Sequence, residues 1–208
     1  MKIITVSRQF SSGGRELAKR LADALGFDYY DREIISEIAK RKGLDEGYVE
    51  STLSTGSFKA IPLHFAKSFS FAFANTGKSE MMVEEKKVID EIANRGRDFV
   101  IVGRNSDVLL SEYKPLNIFV CANLEYKIAR CQEKAPEGST PTIKDIQKQI
   151  KQIDKDRASS RALISATKWG ECTNYHLTIN STGWQIKDLV PIAEAFARIY
   201  FGEENEQY

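Results

Sequence analysis

This chain has little cysteine, little histidine and almost no net charge. Its three cysteines include no Cys-x-x-Cys pair, so they suggest no disulfide framework. With only His64 and His176 beside them, a zinc site is not expected. Cys121 ends a predicted buried strand, Cys131 lies in the helix after it, and Cys172 sits in a loop near Trp169; all three read as reduced thiols. Thirty basic against 29 acidic residues leave a net charge of +1, which gives no global attraction to nucleic acid or to an anionic membrane. No apolar run approaches the roughly 18 residues of a membrane span. The first predicted strand begins at residue 3 with no charged-then-apolar leader before it. A cytoplasmic protein with neither nucleic acid nor membrane as partner is expected. At 208 residues and 42% apolar content, the chain can bury a core as one domain, 1–208.

One further absence lies inside a feature that is present. Lys2-Ile3-Ile4-Thr5-Val6 is a β-branched strand, and Leu17 to Leu25 repeats apolar residues at helical spacing. Ser7 to Glu16 lies between them and contains Gly13 and Gly14. Strand, glycine-containing loop and helix is the layout that aims backbone N–H groups and a helix N-terminus at anionic oxygens. The usual signature of such a loop, GxxxxGK[ST], is missing. With Gly13 as its last glycine, Arg8 stands at the first glycine, Gly14 at the lysine and Arg15 at the hydroxyl residue.

Strand and helix patterns alternate through the rest. Strands are expected at 3–7, 27–30, 99–102, 116–121 and 175–180. Helices are expected at 14–25, 32–42, 46–53, 80–96, 106–112, 124–135, 142–166 and 185–201, with Gly26, Gly43 and Gly96 as C-terminal stops and Asp45 as an N-cap. Phe58, Phe65, Phe69, Phe71 and Phe73 punctuate the segment 58–74, where helical and alternating spacings overlap and periodicity does not decide. It suits packing on the body or on a second copy of the chain, or the lining of a base pocket. Thr76-Gly77-Lys78-Ser79 follows no clean strand and reads weakly as a nucleotide loop. Alternation of this kind predicts an α/β fold, a three-layer α/β/α sandwich on a five-stranded parallel sheet. Ligands of such sheets lie beyond the C-terminal strand ends. That draws weight to residues 8–15, Asp31-Arg32, Gly103-Arg104-Asn105 and the 121–125 turn.

These residues also carry a resemblance. Ser7-Arg8-Gln9-Phe10-Ser11-Ser12-Gly13-Gly14-Arg15 is similar to the Ser-Arg-x-Phe-x-Ser-Gly-Gly-Arg motif of the cytidylate kinase-like branch of the nucleoside monophosphate kinases. Tyr29-Tyr30-Asp31-Arg32-Glu33, Val102-Gly103-Arg104, Asp154-Lys155-Asp156-Arg157, Trp169-Gly170 and Asn174 to Ser181 match it further along, in order. The resemblance implies a P-loop kinase type of fold with a helical lid, here about 136–170, beside an aromatic-rich helical insertion at about 45–80. It implies transfer of the ATP γ-phosphate, with Mg2+, to CMP, dCMP or a related small acceptor.

On that resemblance, Arg8, Ser11, Ser12, Gly13, Gly14 and Arg15 would hold the donor phosphates, with Arg8 or Arg15 replacing the lysine's charge. Arg15, Arg104 and Arg157 would stabilise the transferring group, since a planar guanidinium can bind two phosphate oxygens at once. Asp31, Arg104, Asp107, Lys155 and Arg161 would bind the acceptor; Asp31 equally suits an N-cap, and Arg161 falls where relatives often carry tyrosine. Trp169 suits stacking on a base or anchoring of the lid. No carboxylate stands out as a magnesium ligand. A catalytically weak or inactive nucleotide-binding protein, acting as a sensor or partner-binding module, is the competing expectation. Pairing of two copies through 58–74 is a further one.

Overall fold

The computed structural model describes residues 1–53, 71–103, 105–135 and 141–202, with the side chains of Ser51 and of residues 71–79 outside that description. The described residues form two compact units, Met1–Asp31 with Gly96–Tyr208, and Arg32–Arg95.

The first unit holds the sheet. Its strands are β1 (Ile3–Arg8), β2 (Asp28–Tyr30), β3 (Phe99–Val102), β4 (Leu116–Cys121) and β5 (Leu177–Asn180), all parallel in the order β2-β3-β1-β4-β5. Val6 pairs with Val102 on one side and with Ile118 on the other, so β1 is central. Ile3, Ile4, Val6 and all four β3 residues are buried, as strands covered on both faces require.

Alternation divides the side chains between the two faces. Ile4, Val6, Val100, Val102, Leu116, Ile118 and Val120 meet Leu17, Leu21, Ile186, Leu189 and Ala193 of helices α1 (Gly14–Leu25) and α8 (Ile186–Tyr200). Phe119 points from the other face and carries Trp169 edge-on at 5.4 Å and Tyr175 at 4.9 Å between ring centroids. The remaining helices of this unit are α5 (Ser106–Leu109), α6 (Leu124–Glu133) and α7 (Ile143–Ile164). The helix expected at 106–112 is split, with a 3-10 turn at Ser111–Tyr113 after α5.

The second unit consists of α2 (Glu33–Lys42), α3 (Glu46–Leu53) and α4 (Phe71–Asn94). Ile34, Ile38, Val49, Leu53, Val88, Ile89 and Ile92 form its buried side. Arg41 joins α2 to α4, donating to both oxygens of Glu91 at 2.8 and 2.6 Å and to Glu37 at 2.8 Å. Asp45 caps α3 as expected, accepting from the Tyr48 N–H at 3.0 Å. Helix α4 starts well before residue 80, so Phe71 and Phe73 are helical in backbone despite their alternating spacing. The readings placed on Phe58, Phe65 and Phe69, pairing of two copies included, lie outside the described residues. Among the described residues no helix is long and apolar enough to cross a membrane.

Candidate functional site

The loop after β1 lies beyond the C-terminal end of the central strand, facing the N-terminus of α1. Ser11 and Gly13 adopt left-handed backbone, at φ 58° and 82°. Successive turns of this kind point N–H groups into one concavity. Helix α1 has no side-chain cap, and the N–H groups of Gly14, Arg15 and Glu16 find no acceptor among the described residues. Four such donors are orphaned at every helix start and carry the positive end of the helix dipole. Here Gly13 leaves them open where a serine or aspartate would close them. A Cβ on Gly13 would also collide with Ile186, 2.7 Å from its Cγ1.

Ser12 shapes the loop from inside. It is buried, and its hydroxyl donates to the carbonyls of Gln9 at 2.9 Å and Val120 at 3.1 Å. Its own carbonyl accepts from the buried Ser181 hydroxyl at 2.7 Å. The Ser12 N–H donates to the Gln9 carbonyl at 3.4 Å, so Ser12 holds the loop's shape, and the N–H groups without an acceptor among the described residues are those of Gly14, Arg15 and Glu16.

The arginines sort themselves by position. Arg15 is half exposed and grips Asp31, Nε to Oδ2 at 2.5 Å and Nη2 to Oδ1 at 3.3 Å. Arg8 runs inward, only 16% exposed, and its Nη2 comes to 4.0 Å from the same carboxylate. Asp31 therefore orients two guanidiniums at the end of β2. It is not the cap of the next helix, which begins after Arg32 without a side-chain cap.

Helix α7 reaches the same loop. Arg157 Nη1 donates to the Arg8 carbonyl at 2.8 Å, and Asp154 Oδ1 accepts the Phe10 N–H at 2.7 Å. Lys127 of α6 completes the contact, with its Nζ 3.2 Å from Gln9 Oε1 and 3.4 Å from Asp154 Oδ2. Burial pushes the Asp154 carboxyl above its usual range, and the Phe10 N–H, Arg157 and Lys127 offset this only in part. Lys127 and Gln9 were not anticipated as site residues. The available signal was that Lys127 occupies the inward stripe of its helix with Leu124, Ile128 and Cys131, where a cation needs partners to be buried.

Asp107 and Arg161 come together, as do Asn105 and Ser160. Arg161 Nη1 donates to Asp107 Oδ2 at 2.6 Å, and its Nε donates to Thr167 Oγ1 at 2.9 Å; the paired side chains are 3% and 2% exposed. Asn105 Nδ2 lies 3.1 Å from Ser160 Oγ. These two pairs dock the end of α7 against α5 and the Asn105 before it, and neither Asp107 nor Arg161 faces solvent. Lys155 is apart from both groups, on the exposed side of α7 beside Lys144, Lys148 and Lys151 along an open groove of about 400 Å³. Trp169 lies edge-on against Phe119. Arg104 falls outside the described residues.

The residues present do not fit a protein-held magnesium ion. The loop's hydroxyl position is Arg15, Asp31 is engaged by two arginines, and among the described residues no group of three His, Cys, Asp or Glu is placed to hold a metal.

Solved structures share this architecture. An uncharacterised protein from Eubacterium ventriosum ATCC 27560 is similar at a TM-score of 0.69 and 22% identity, over 95% of this chain and 98% of that one. The shikimate kinase of Bacteroides thetaiotaomicron is similar at 0.56 and 15%, over 94% and 97%. That of Acinetobacter baumannii, solved with shikimate, is similar at 0.54 and 12%, over 99% and 96%. At these identities the likeness is one of fold. No curated protein matches the sequence. The sequence model of the cytidylate kinase-like family matches residues 3–183, which takes in the loop, Asp31, α7 and the last strand; the chain belongs to that family.

Proposed function

We propose that the chain transfers the γ-phosphate of ATP to CMP, dCMP or a related small acceptor. One observation carries the reading. An uncapped helix N-terminus, with three N–H groups lacking an acceptor among the described residues, faces the loop that Arg8, Arg15 and Arg157 surround. Phosphoryl transfer asks a protein mainly to position phosphates and neutralise their charge, and these are the groups that do so.

The placement of the side chains supports the following roles. The backbone of Ser11 to Arg15 receives the donor's β-phosphate. Arg157, held on the loop by the Arg8 carbonyl, stabilises the group in flight. Asp31 orients Arg8 and Arg15 rather than meeting the acceptor directly. Arg104, on sequence grounds alone, takes the acceptor phosphate, and Lys155 reaches the acceptor only if α7 moves. Asp107 and Arg161 act as positioning residues that seat α7. Any magnesium belongs to the donor, ligated by phosphate oxygens and water, as this ion commonly is. Contacts between α7 and the loop favour exclusion of water, which suppresses wasteful ATP hydrolysis. Reduced thiols and balanced charge support action in the cytoplasm on a small molecule.

A second reading has its own support. With Arg15 in place of the loop hydroxyl and Asp31 engaged by arginines, the chain suits holding a nucleotide without turning it over. One experiment separates the two. The protein is incubated with ATP, Mg2+ and a panel of nucleoside monophosphates, and ADP is followed beside an Arg157→Ala control. Turnover with one acceptor, lost in the variant, is expected. ATP binding without turnover on any acceptor favours the second reading.

A further inference from the structure

The loop's changed letters are not independent of one another. Arg8 leaves the end of β1 and passes over the start of α1. A Cβ placed on Gly14 would sit 2.5 Å from Arg8 Cβ, 3.2 Å from its Cγ and 3.1 Å from Val120 Cβ. Contacts under 3 Å between such atoms are not tolerated in close-packed interiors. The space in which a lysine at 14 would begin its side chain is therefore filled by the stem of Arg8.

The far end of Arg8 meets a second glycine. A Cβ on Gly103 would run into Nη1 of Arg8 and lie 2.8 Å from its Cζ and 3.3 Å from its Nη2. Gly103 closes β3 with φ 72°, a conformation that already favours glycine. Its backbone thus forms the bed on which the guanidinium rests. Beyond it, Nη2 approaches Asp31 Oδ1 at 4.0 Å. The guanidinium is held beside Gly103 and Asp31, at the C-terminal ends of β3 and β2, while its stem passes the start of α1. Arg15 is a poorer candidate for the same task. It is 54% exposed and spends Nε and Nη2 on Asp31.

Resting on the phosphotransfer reading above, we infer that Arg8 is the donor-phosphate cation of this loop, in place of the missing lysine, and that Gly14 and Gly103 are glycine to admit it. Positions 8 and 14 have exchanged roles. An ordinary loop has glycine at the strand end and sends its cation from the helix start; this one has glycine at the helix start and sends its cation from the strand end. The ligand is the β- or γ-phosphate of a nucleoside triphosphate, bound by a planar fork instead of a point charge.

An exchange can be reversed, and that is the test. ATP affinity is measured by calorimetry on the full chain carrying Arg8→Gly, Gly14→Lys, or both, with thermal melting as a check on the fold. Arg8→Gly is expected to weaken ATP about tenfold or more, the scale of one lost hydrogen bond to a charged group. Gly14→Lys alone is expected to weaken it too, because the lysine stem meets Arg8. The double variant, which restores glycine at 8 and lysine at 14, is expected to recover most of the affinity. Arg8→Gln serves if Arg8→Gly melts early, since it keeps a stem over Gly14 and removes the guanidinium with its charge. Wild-type affinity in a folded Arg8→Gly or Arg8→Gln protein overturns the inference and leaves the phosphotransfer reading standing. Loss in the single variants without recovery in a folded double variant also overturns it, because Arg8 then only braces Asp31 and the strand ends. A wild-type chain that binds no ATP overturns both.

Discussion

Arg161 and Asp107 form a buried ion pair at 2.6 Å between the end of α7 and helix α5, 54 residues apart in sequence. Thr167 takes the guanidinium's Nε, while Asp107 Oδ1 has no hydrogen-bond partner among the described residues. The pair is therefore well made on one side and incomplete on the other. Removing one member strands a buried charge, whereas replacing both by apolar groups removes the desolvation cost with it. Arg161→Met is expected to destabilise the protein by about 3–5 kcal/mol, and Arg161→Met with Asp107→Leu by much less. Urea unfolding of the two variants checks this. Equal losses would mean that the pair contributes packing alone.

Ser181 is a smaller lever on the phosphate loop. Its hydroxyl is fully buried and lies 2.7 Å from the Ser12 carbonyl and 3.1 Å from that of Cys121. Ser181→Ala leaves the buried Ser12 carbonyl without its donor, at a cost of about 1–3 kcal/mol. Because that carbonyl belongs to the loop, weaker ATP binding is expected together with the lower stability. Amide hydrogen exchange across residues 9–14 is the direct readout, and faster exchange is expected there.

Asp154 makes the contact between α7 and the loop sensitive to pH. Burial raises its folded-state pKa above the ordinary value of 3.8. The folded chain then binds this proton more tightly than the unfolded chain. Asp154's contribution is greatest below the ordinary value and is lost as pH rises through the raised one. Asp154→Asn keeps an acceptor for the Phe10 N–H and removes the titration. The stability of the wild type relative to Asp154→Asn is expected to fall as pH rises from about 4 through that window. Denaturant midpoints of both proteins across pH check the sign, and a difference independent of pH would contradict the burial account.

Much of the framework was legible because it is written in short-range pattern. Gly14–Leu25, Phe99–Val102 and Leu116–Cys121 begin and end where apolar spacing and glycine stops place them. The phosphate loop was legible in its shape, since Gly13 at a helix start has a local reason. Helix α4 was not, because Phe71 and Phe73 alternate like a strand within a segment whose backbone is helical. Nor were the partners that cross the fold. Nothing near Arg161 in sequence points to Asp107, and nothing near Lys127 points to Gln9 or Asp154. In the sequence Arg8 and Arg15 are equal candidates for the lysine's role; only the fold lays Gly14 and Gly103 along the Arg8 side chain. Contacts of that kind depend on how strands are ordered in the sheet, which periodicity does not encode.

Phosphoryl transfer itself is the claim on which the account stands. The most direct measurement follows the label from ATP carrying radioactive phosphorus in its γ-position, with the protein, Mg2+ and CMP or dCMP. Label is expected in the corresponding diphosphate, formed in step with ADP and little of it released as inorganic phosphate. Label that stays in ATP, or passes only to water, while the protein demonstrably binds ATP and acceptor, would contradict it.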